Sequence, residues 1–266
     1  MKKKVAICLR GAVSKLFRNL TDLKQLYNNE GNYVNYTACY KSITRHIVEA
    51  NAEEYEVDFF THCWNEDLKD SIINLYQPKR HLFESNGPYI EEIKQKGVVD
   101  TEFSNASQAL SMKQALILKE EYEAMQGVTY DIVILYRYDV LLWKDICLKT
   151  YDRLDNGTIY VNGDQESGVG GCNGDFHFIM SNTMSYKFKY LYNSLDHSNE
   201  CLQHCWMKRY ITEYLRTEIL ADDILPGKYQ EVLRKMRIFS LWPGHIQLDM
   251  LYSYGFTLEE LDCYEG

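Results

Sequence analysis

Five consecutive apolar residues, Ile132-Val-Ile-Leu-Tyr136, sit inside the stretch from Tyr130 to Trp143, and a similar run, Val5-Ala-Ile-Cys-Leu9, lies near the N-terminus. Unbroken runs of this length belong to strands buried on both faces rather than to strands with one face in water. Helical periods separate them. Leu16, Leu20, Leu23 and Leu26 recur near helical spacing, Tyr40 to Ala50 places Ile43 and Ile47 on one face, and Ser107 to Met125 is strongly periodic, with Gly127 just past its end. Alternating strands and helices without an internal repeat or linker predict a single α/β domain.

The remaining strands are expected at Val57–Trp64, breaking into the polar turn Asn65-Glu66-Asp67, and at Lys79–Glu84, Thr158–Val161 and Asp175–Met180. Residues 85 to 106 carry Gly87, Pro88 and Gly97 and no sustained period, and read as a loop with a helical turn. Asn162 to Gly174 reads as a flexible loop with glycines at 163, 168, 170, 171 and 174. Helices are expected from Ser181 or Asn182 to Leu195, and from Glu200 to Leu215.

Composition narrows the function classes. The 266 residues carry 29 Lys+Arg against 38 Asp+Glu, a net charge of −9, so broad attraction to nucleic acid or an anionic membrane is disfavoured. No apolar run approaches the roughly 18 residues of a membrane-spanning helix, so no transmembrane segment is expected. Lys2 to Lys4 are followed by only the short run to Leu9 before Arg10, too little for a signal peptide. The eight scattered cysteines read as reduced thiols, and the expected location is cytoplasmic.

Arg137 and Asp139 interrupt the most strand-like stretch. Two residues apart on a strand, they project from the same face, and burying both charges costs several kcal/mol or more unless they are paired or bound. Two readings stand: a structural ion pair at a strand end, or a strand emerging at the carboxyl edge of the sheet, where Asp139 meets a metal-bound diphosphate.

Ser107-Gln-Ala-Leu-Ser-Met-Lys113, the helix to Glu123 and Tyr130–Val140 together resemble nucleotide-sugar-dependent glycosyltransferases of capsule, lipopolysaccharide and large-virus glycan clusters. The openings Val5–Gly11 and Asp58–Asn65 resemble the first two strands of that group, and Asp175–Ser181 followed by Asn199–His204 resembles its later part. The resemblance covers most of the chain in order. It implies a GT-A-like, Rossmann-like domain with a mixed central sheet flanked by helices, residues 1–143 forming the nucleotide-sugar half and 144–266 the acceptor half. It also implies a nucleoside-diphosphate sugar donor, a glycan or glycolipid acceptor, no nucleic-acid partner, and Mn2+ or Mg2+ held near an Asp-x-Asp motif. This chain has Arg137 where the first Asp of that motif would stand. A guanidinium there neutralises phosphate charge, the work a metal otherwise does.

The same likeness distributes roles. Arg10 and Gly11 leave the first strand at the ligand edge, Arg offering a fork to phosphate and Gly letting the backbone come close; a surface loop is the alternative. Thr61, His62, Trp64 and Asn65 end the second strand, with Trp64 either a stacking platform or a core residue. Ser111 and Lys113 belong to a helix opening whose free N–H groups favour anions, although a plain cap explains Ser107. Asp139 and, from the C-terminal segment, His245 are the metal candidates. Asp175 and Glu200 are the acid–base candidates, since a glycosyl transfer needs a base for the acceptor hydroxyl; each also reads as a capping or turn carboxylate. Cys201 and Cys205 share a helical face, but no second pair completes a zinc site. A sugar-1-phosphate nucleotidylyltransferase would need a glycine-rich loop where only Arg10-Gly11-Ala12-Val13 stands, and a non-catalytic carbohydrate-binding or scaffold protein is a third reading.

Overall fold

The computed structural model describes residues 2–13, 36–95, 103–142, 145–151, 153–154, 157–162, 177–194, 210, 215, 219–222 and 245–247. The first apolar run forms β1 (Lys3–Arg10), buried from Val5 to its end. Helix α1 (Tyr36–Ile43) continues through a π-helical turn at Thr44–Val48 and a 3-10 turn at Glu49–Asn51, keeping Ile43 and Ile47 on one buried face. Next come β2 (Tyr55–Cys63), α2 (Lys69–Tyr76), β3 (Arg80–Phe83), α3 (Ile90–Gln95) and the long α4 (Phe103–Gln126). Gly127 stops α4: at φ +63 its N–H donates to the Glu123 carbonyl at 2.9 Å, in a left-handed conformation that a residue without Cβ adopts easily.

The second half supplies β4 (Ile132–Arg137), β5 (Val140–Leu142), β6 (Ile159–Asn162), β7 (His177–Ser181), α5 (Asn182–Phe188, continued as a 3-10 helix to Ser194), β8 (Ile219–Asp222) and β9 (His245–Gln247). Ser181 caps α5, its hydroxyl accepting the Met184 N–H at 3.3 Å.

Among the described residues seven strands form one sheet in the order β3-β2-β1-β4-β7-β6-β8, while β5 pairs with β9 apart from it. β3, β2, β1 and β4 are parallel; β7 runs antiparallel to β4 and to β6, and β8 runs parallel to β6. The fold is therefore α/β and Rossmann-like, with a mixed sheet flanked by helices. Strand alternation divides the core. Val5, Ile7, Leu9, Ile132, Ile134 and Tyr136 pack against Cys39, Ile43 and Ile47 of the α1 segment and Ile72 and Tyr76 of α2. Ala6, Cys8, Val133 and Leu135 face Met112, Ala115 and Leu116 of α4, and Phe178 and Met180 lie in the same cluster as Met184 and Phe188 of α5. Because β1 and β4 bury side chains on both faces, their sequences read as unbroken apolar runs, and truncating Ile134 to Ala would cost about 2–5 kcal/mol.

Three segments differ from expectation. The strand expected to run to Trp143 breaks at Tyr138-Asp139, because β5 leaves the main sheet to pair with β9, about a hundred residues later in the chain. The loop expected at 85–106 holds a 3-10 turn at Gly87–Tyr89, α3 and the first turn of α4. The helix expected to Leu195 tightens to 3-10 geometry after Phe188. The helix expected around Leu16–Leu26 and the glycine loop beyond Asn162 lie outside the described residues. So does the helix Glu200–Leu215 apart from Tyr210 and Leu215, where the Leu215 N–H donates to the Tyr210 carbonyl at 3.0 Å.

Candidate active site

In an open α/β sheet ligands bind beyond the carboxyl ends of the strands, at the point where the strand order reverses direction. Here that point is between β1 and β4: the chain steps outward from β1 to β2 and β3, then returns to the other side of β1. The paired register of these two strands ends on Arg10 and Arg137. By alternation both lie on the face of Ala6, Cys8, Val133 and Leu135, the face covered by α4. Continuing the register Leu9 to Thr61 puts His62 level with Arg10 on the same face, so His62, Arg10 and Arg137 form a row across three strands. Arg10 is almost completely buried and His62 fully so.

Two like charges side by side at a strand end are unfavourable without a counter-ion. Asp139 supplies it: Arg137 Nε donates to Oδ1 at 2.8 Å and Nη2 to Oδ2, a two-pronged pairing in which the carboxylate side chain is 3% and the guanidinium 14% exposed. The pair closes across a turn, not along a strand. Tyr138, between them, is buried in the opposite layer, with its ring edge-on to Tyr76 at 6.1 Å, and this fixes the turn that brings Asp139 back to Arg137.

Gly11 follows Arg10 with φ +106, and a Cβ there would meet nothing within 4 Å. Its backbone is committed on both sides. The N–H donates to Ser111 Oγ at 2.7 Å, and the carbonyl accepts the Trp64 N–H at 3.1 Å. Ser111 Oγ in turn lies 2.6 Å from His62 Nδ1, and His62 Nε2 lies 3.1 Å from Glu84 Oε1. One set of roles satisfies every partner: Nε2–H donates to Glu84, Nδ1 accepts the Ser111 O–H, and Ser111 Oγ accepts the Gly11 N–H. Burial pushes His62 below the ordinary histidine range, which keeps it neutral as those roles require. Burial pulls Glu84 upward, but hydrogen bonds from His62 and from Tyr89 (2.9 Å) outweigh it and hold the carboxyl below its usual range. Ser, His and Glu are the residue types of an acyl-transfer triad, yet Ser111 is fully buried on the sheet-facing side of α4. A nucleophile needs access to its substrate, and this hydroxyl has none.

The other residues singled out from the sequence are placed as follows. Thr61 is fully buried and alternates to the opposite face of β2. Asn65 Oδ1 accepts the Val13 N–H at 2.8 Å, tying the turn after β1 to the end of β2. Trp64 stands edge-on to His62 at 4.4 Å and to Tyr89 at 5.7 Å, packed on a small cluster of Ile93, Ala106, Ala109, Leu110 and Tyr192. Lys113 Nζ lies 5.5 Å from the centre of the Tyr192 ring. The backbone of His245 pairs with Leu142, three residues past Asp139. Asp175 and Glu200 lie outside the described residues, Asp175 two positions before His177, which begins β7 beside Tyr136.

Among the described residues no three His, Cys, Asp or Glu side chains converge as a cation site. Asp139 meanwhile has a guanidinium on both of its oxygens. Of the two metal candidates, Asp139 is thus engaged by Arg137, while the side chain of His245 lies outside the described residues. Sequence reasoning also missed Glu84 and Tyr138. Both act through contacts distant in sequence, and the only local hint was the polar residue ending an apolar strand.

No protein-family model matches the chain, and no curated protein matches it. Among solved structures it is similar to a glycosyltransferase involved in the glycosylation of the major capsid of PBCV-1, at 10% identity and a TM-score of 0.37, over 61% of this chain and 80% of that one. It is also similar to the apo-form glycosyltransferase GlyE of Streptococcus pneumoniae TIGR4, at 11% identity and a TM-score of 0.44, over 100% of this chain and 62% of that one. This chain thus spans less than two thirds of GlyE. At such identities activity does not transfer, and the chemistry has to come from the site itself.

Proposed function

We propose that the protein is a glycosyltransferase that moves a sugar from a nucleoside diphosphate to a glycan or glycolipid acceptor, with the donor held between β1 and β4 and the acceptor on the side of residues 144–266. The observation that carries this reading is the Arg10–Arg137 register pair at the strand-order reversal, with Asp139 orienting the Arg137 fork. The committed Gly11 amide speaks against the alternatives that need a backbone phosphate cradle after β1, a dinucleotide-binding turn or a nucleotidylyltransferase loop.

In the proposed reaction the acceptor oxygen bonds to the anomeric carbon while the bond from that carbon to the diphosphate oxygen breaks. The acceptor proton passes to a carboxylate, for which Asp175 and Glu200 are the candidates. The departing diphosphate gains negative charge, and Arg137, fixed in advance by Asp139, stabilises it. No step is assigned to a metal.

A thermal-shift screen against UDP, GDP, CDP and dTDP sugars, with and without Mn2+, tests the proposal. One nucleoside should raise the melting temperature selectively; saturation at a hundredfold over Kd is worth about 2.7 kcal/mol. Slow hydrolysis of that donor, followed as nucleoside diphosphate release, then separates an enzyme from a sugar-binding module. Indifference to all four nucleosides would sink the reading.

A further inference from the structure

We propose that Glu84, His62 and Ser111 form one positioning relay that fixes the turn after β1 and turns the Gly11 amide away from the ligand crevice. The relay joins four separate pieces of the fold: the residue after β3, the end of β2, the third turn of α4 and the first residue beyond β1. It rests on the functional reading above only for the nature of the ligand.

Each link has one donor and one acceptor, and the chain of links starts from a carboxylate. Glu84 holds Nε2–H and so fixes the histidine tautomer; the free Nδ1 lone pair orients the Ser111 O–H; the oxygen then presents a lone pair to Gly11 N–H. The Gly11 N–H points inward, toward Ser111 of α4, while φ +106 turns the chain that follows it. None of the three side chains needs to touch the ligand. Their effect is on what the crevice offers: with the amide withdrawn, an anion between β1 and β4 is met by side chains, and recognition depends on the guanidinium row.

Ser111→Ala removes one buried oxygen and favours the helix, so the variant should fold. The measurement is amide hydrogen exchange at Gly11 together with calorimetric titration of UDP and GDP. The relay requires exchange at Gly11 to rise about tenfold or more relative to the amides of Ala6 and Val133, and the affinity of the bound nucleotide to fall on the order of tenfold. Glu84→Ala should do the same in weaker form, and Glu84→Gln, which keeps an acceptor for Nε2–H, should restore both readouts. Unchanged Gly11 exchange in Ser111→Ala overturns the relay, as does an unchanged nucleotide affinity once exchange has risen. If neither UDP nor GDP binds the unaltered protein, the functional reading loses its support while Gly11 exchange still decides the relay.

Discussion

Arg10 and Arg137 are register partners at the ends of the two central parallel strands, on the same face of the sheet. Adjacent like charges repel, and the Asp139 carboxylate between the turn and the sheet offsets the repulsion. Asp139→Asn keeps the shape and removes the charge. Loss of one partner from a largely buried pair should lower stability by about 3 kcal/mol, read from urea unfolding. An unchanged midpoint would mean that Arg137 finds its counter-ion elsewhere.

The Arg137 fork should matter for ligand binding more than its charge does. Arg137→Lys exchanges a planar two-pronged donor for a point charge, and nucleoside diphosphate affinity should drop about tenfold. With Arg137 supplying the neutralising charge, as proposed, that affinity should survive EDTA in the unaltered protein. Full loss in EDTA, recovered with Mn2+ and accompanied by near-normal binding in Arg137→Lys, would assign the neutralising role to a metal.

Away from the site, Lys119 is fully buried, and its Nζ lies 2.9 Å from Glu123 Oε2 and 3.1 Å from Ser185 Oγ, with Asn182 Oδ1 as a further partner. Burial pulls Glu123 upward, but Lys119, Tyr186 and the Tyr130 N–H together hold it below the usual carboxylate range. A depressed folded-state value adds stability that is complete above the unfolded carboxyl range, near 4.3, and is lost as pH falls through the folded value. In Lys119→Met the buried carboxyl loses its cation and moves upward from its depressed position, while Tyr186 and the Tyr130 N–H stay in place. The variant should lose about 3–5 kcal/mol at pH 7, and its deficit against the parent should narrow as pH approaches 4. A deficit independent of pH, in a series of unfolding curves, would rule this account out.

Two glycines separate backbone strain from packing. Neither Gly11 nor Gly127 leaves a Cβ within 4 Å of anything, yet their φ values are +106 and +63. Ala at Gly127 enters the left-handed helical region and should cost about 1 kcal/mol, whereas Ala at Gly11 lies outside it and should cost about 2 kcal/mol or more. Gly11→Ala should also weaken nucleotide binding and Gly127→Ala should not. Equal costs in chemical denaturation would contradict the difference drawn from φ.

The sequence makes β1, β4 and most of α4 readable for a physical reason: strands buried on both faces tolerate no polar interruption, and a helix of more than twenty residues shows its period many times over. Helix α2 escapes notice because only Ile72 and Tyr76 are buried, a single four-residue step amid polar neighbours. The turn at Tyr138-Asp139 carries no Gly or Pro; what creates it is pairing with a strand at His245–Gln247, invisible to any local window. The candidate site divides in the same way. Arg10, Gly11, Arg137 and Asp139 stand out as charges or breaks at the ends of apolar runs. Glu84 does not, since its role exists only once β2 and β3 are paired.

The placement of β1 between β2 and β4 has a consequence for the order in which the chain is made. β2 and β3 leave the ribosome soon after β1 and can pair on one side of it, but β4 follows only about 120 residues after β1, some 6–25 s later at ordinary rates of synthesis. Throughout that interval the other side of β1 is an open edge of backbone donors and acceptors in the most apolar part of the sheet. Such edges recruit strands from neighbouring chains. A nascent chain arrested before Ile132 should therefore sediment with aggregates, and one arrested well beyond Arg137 should not.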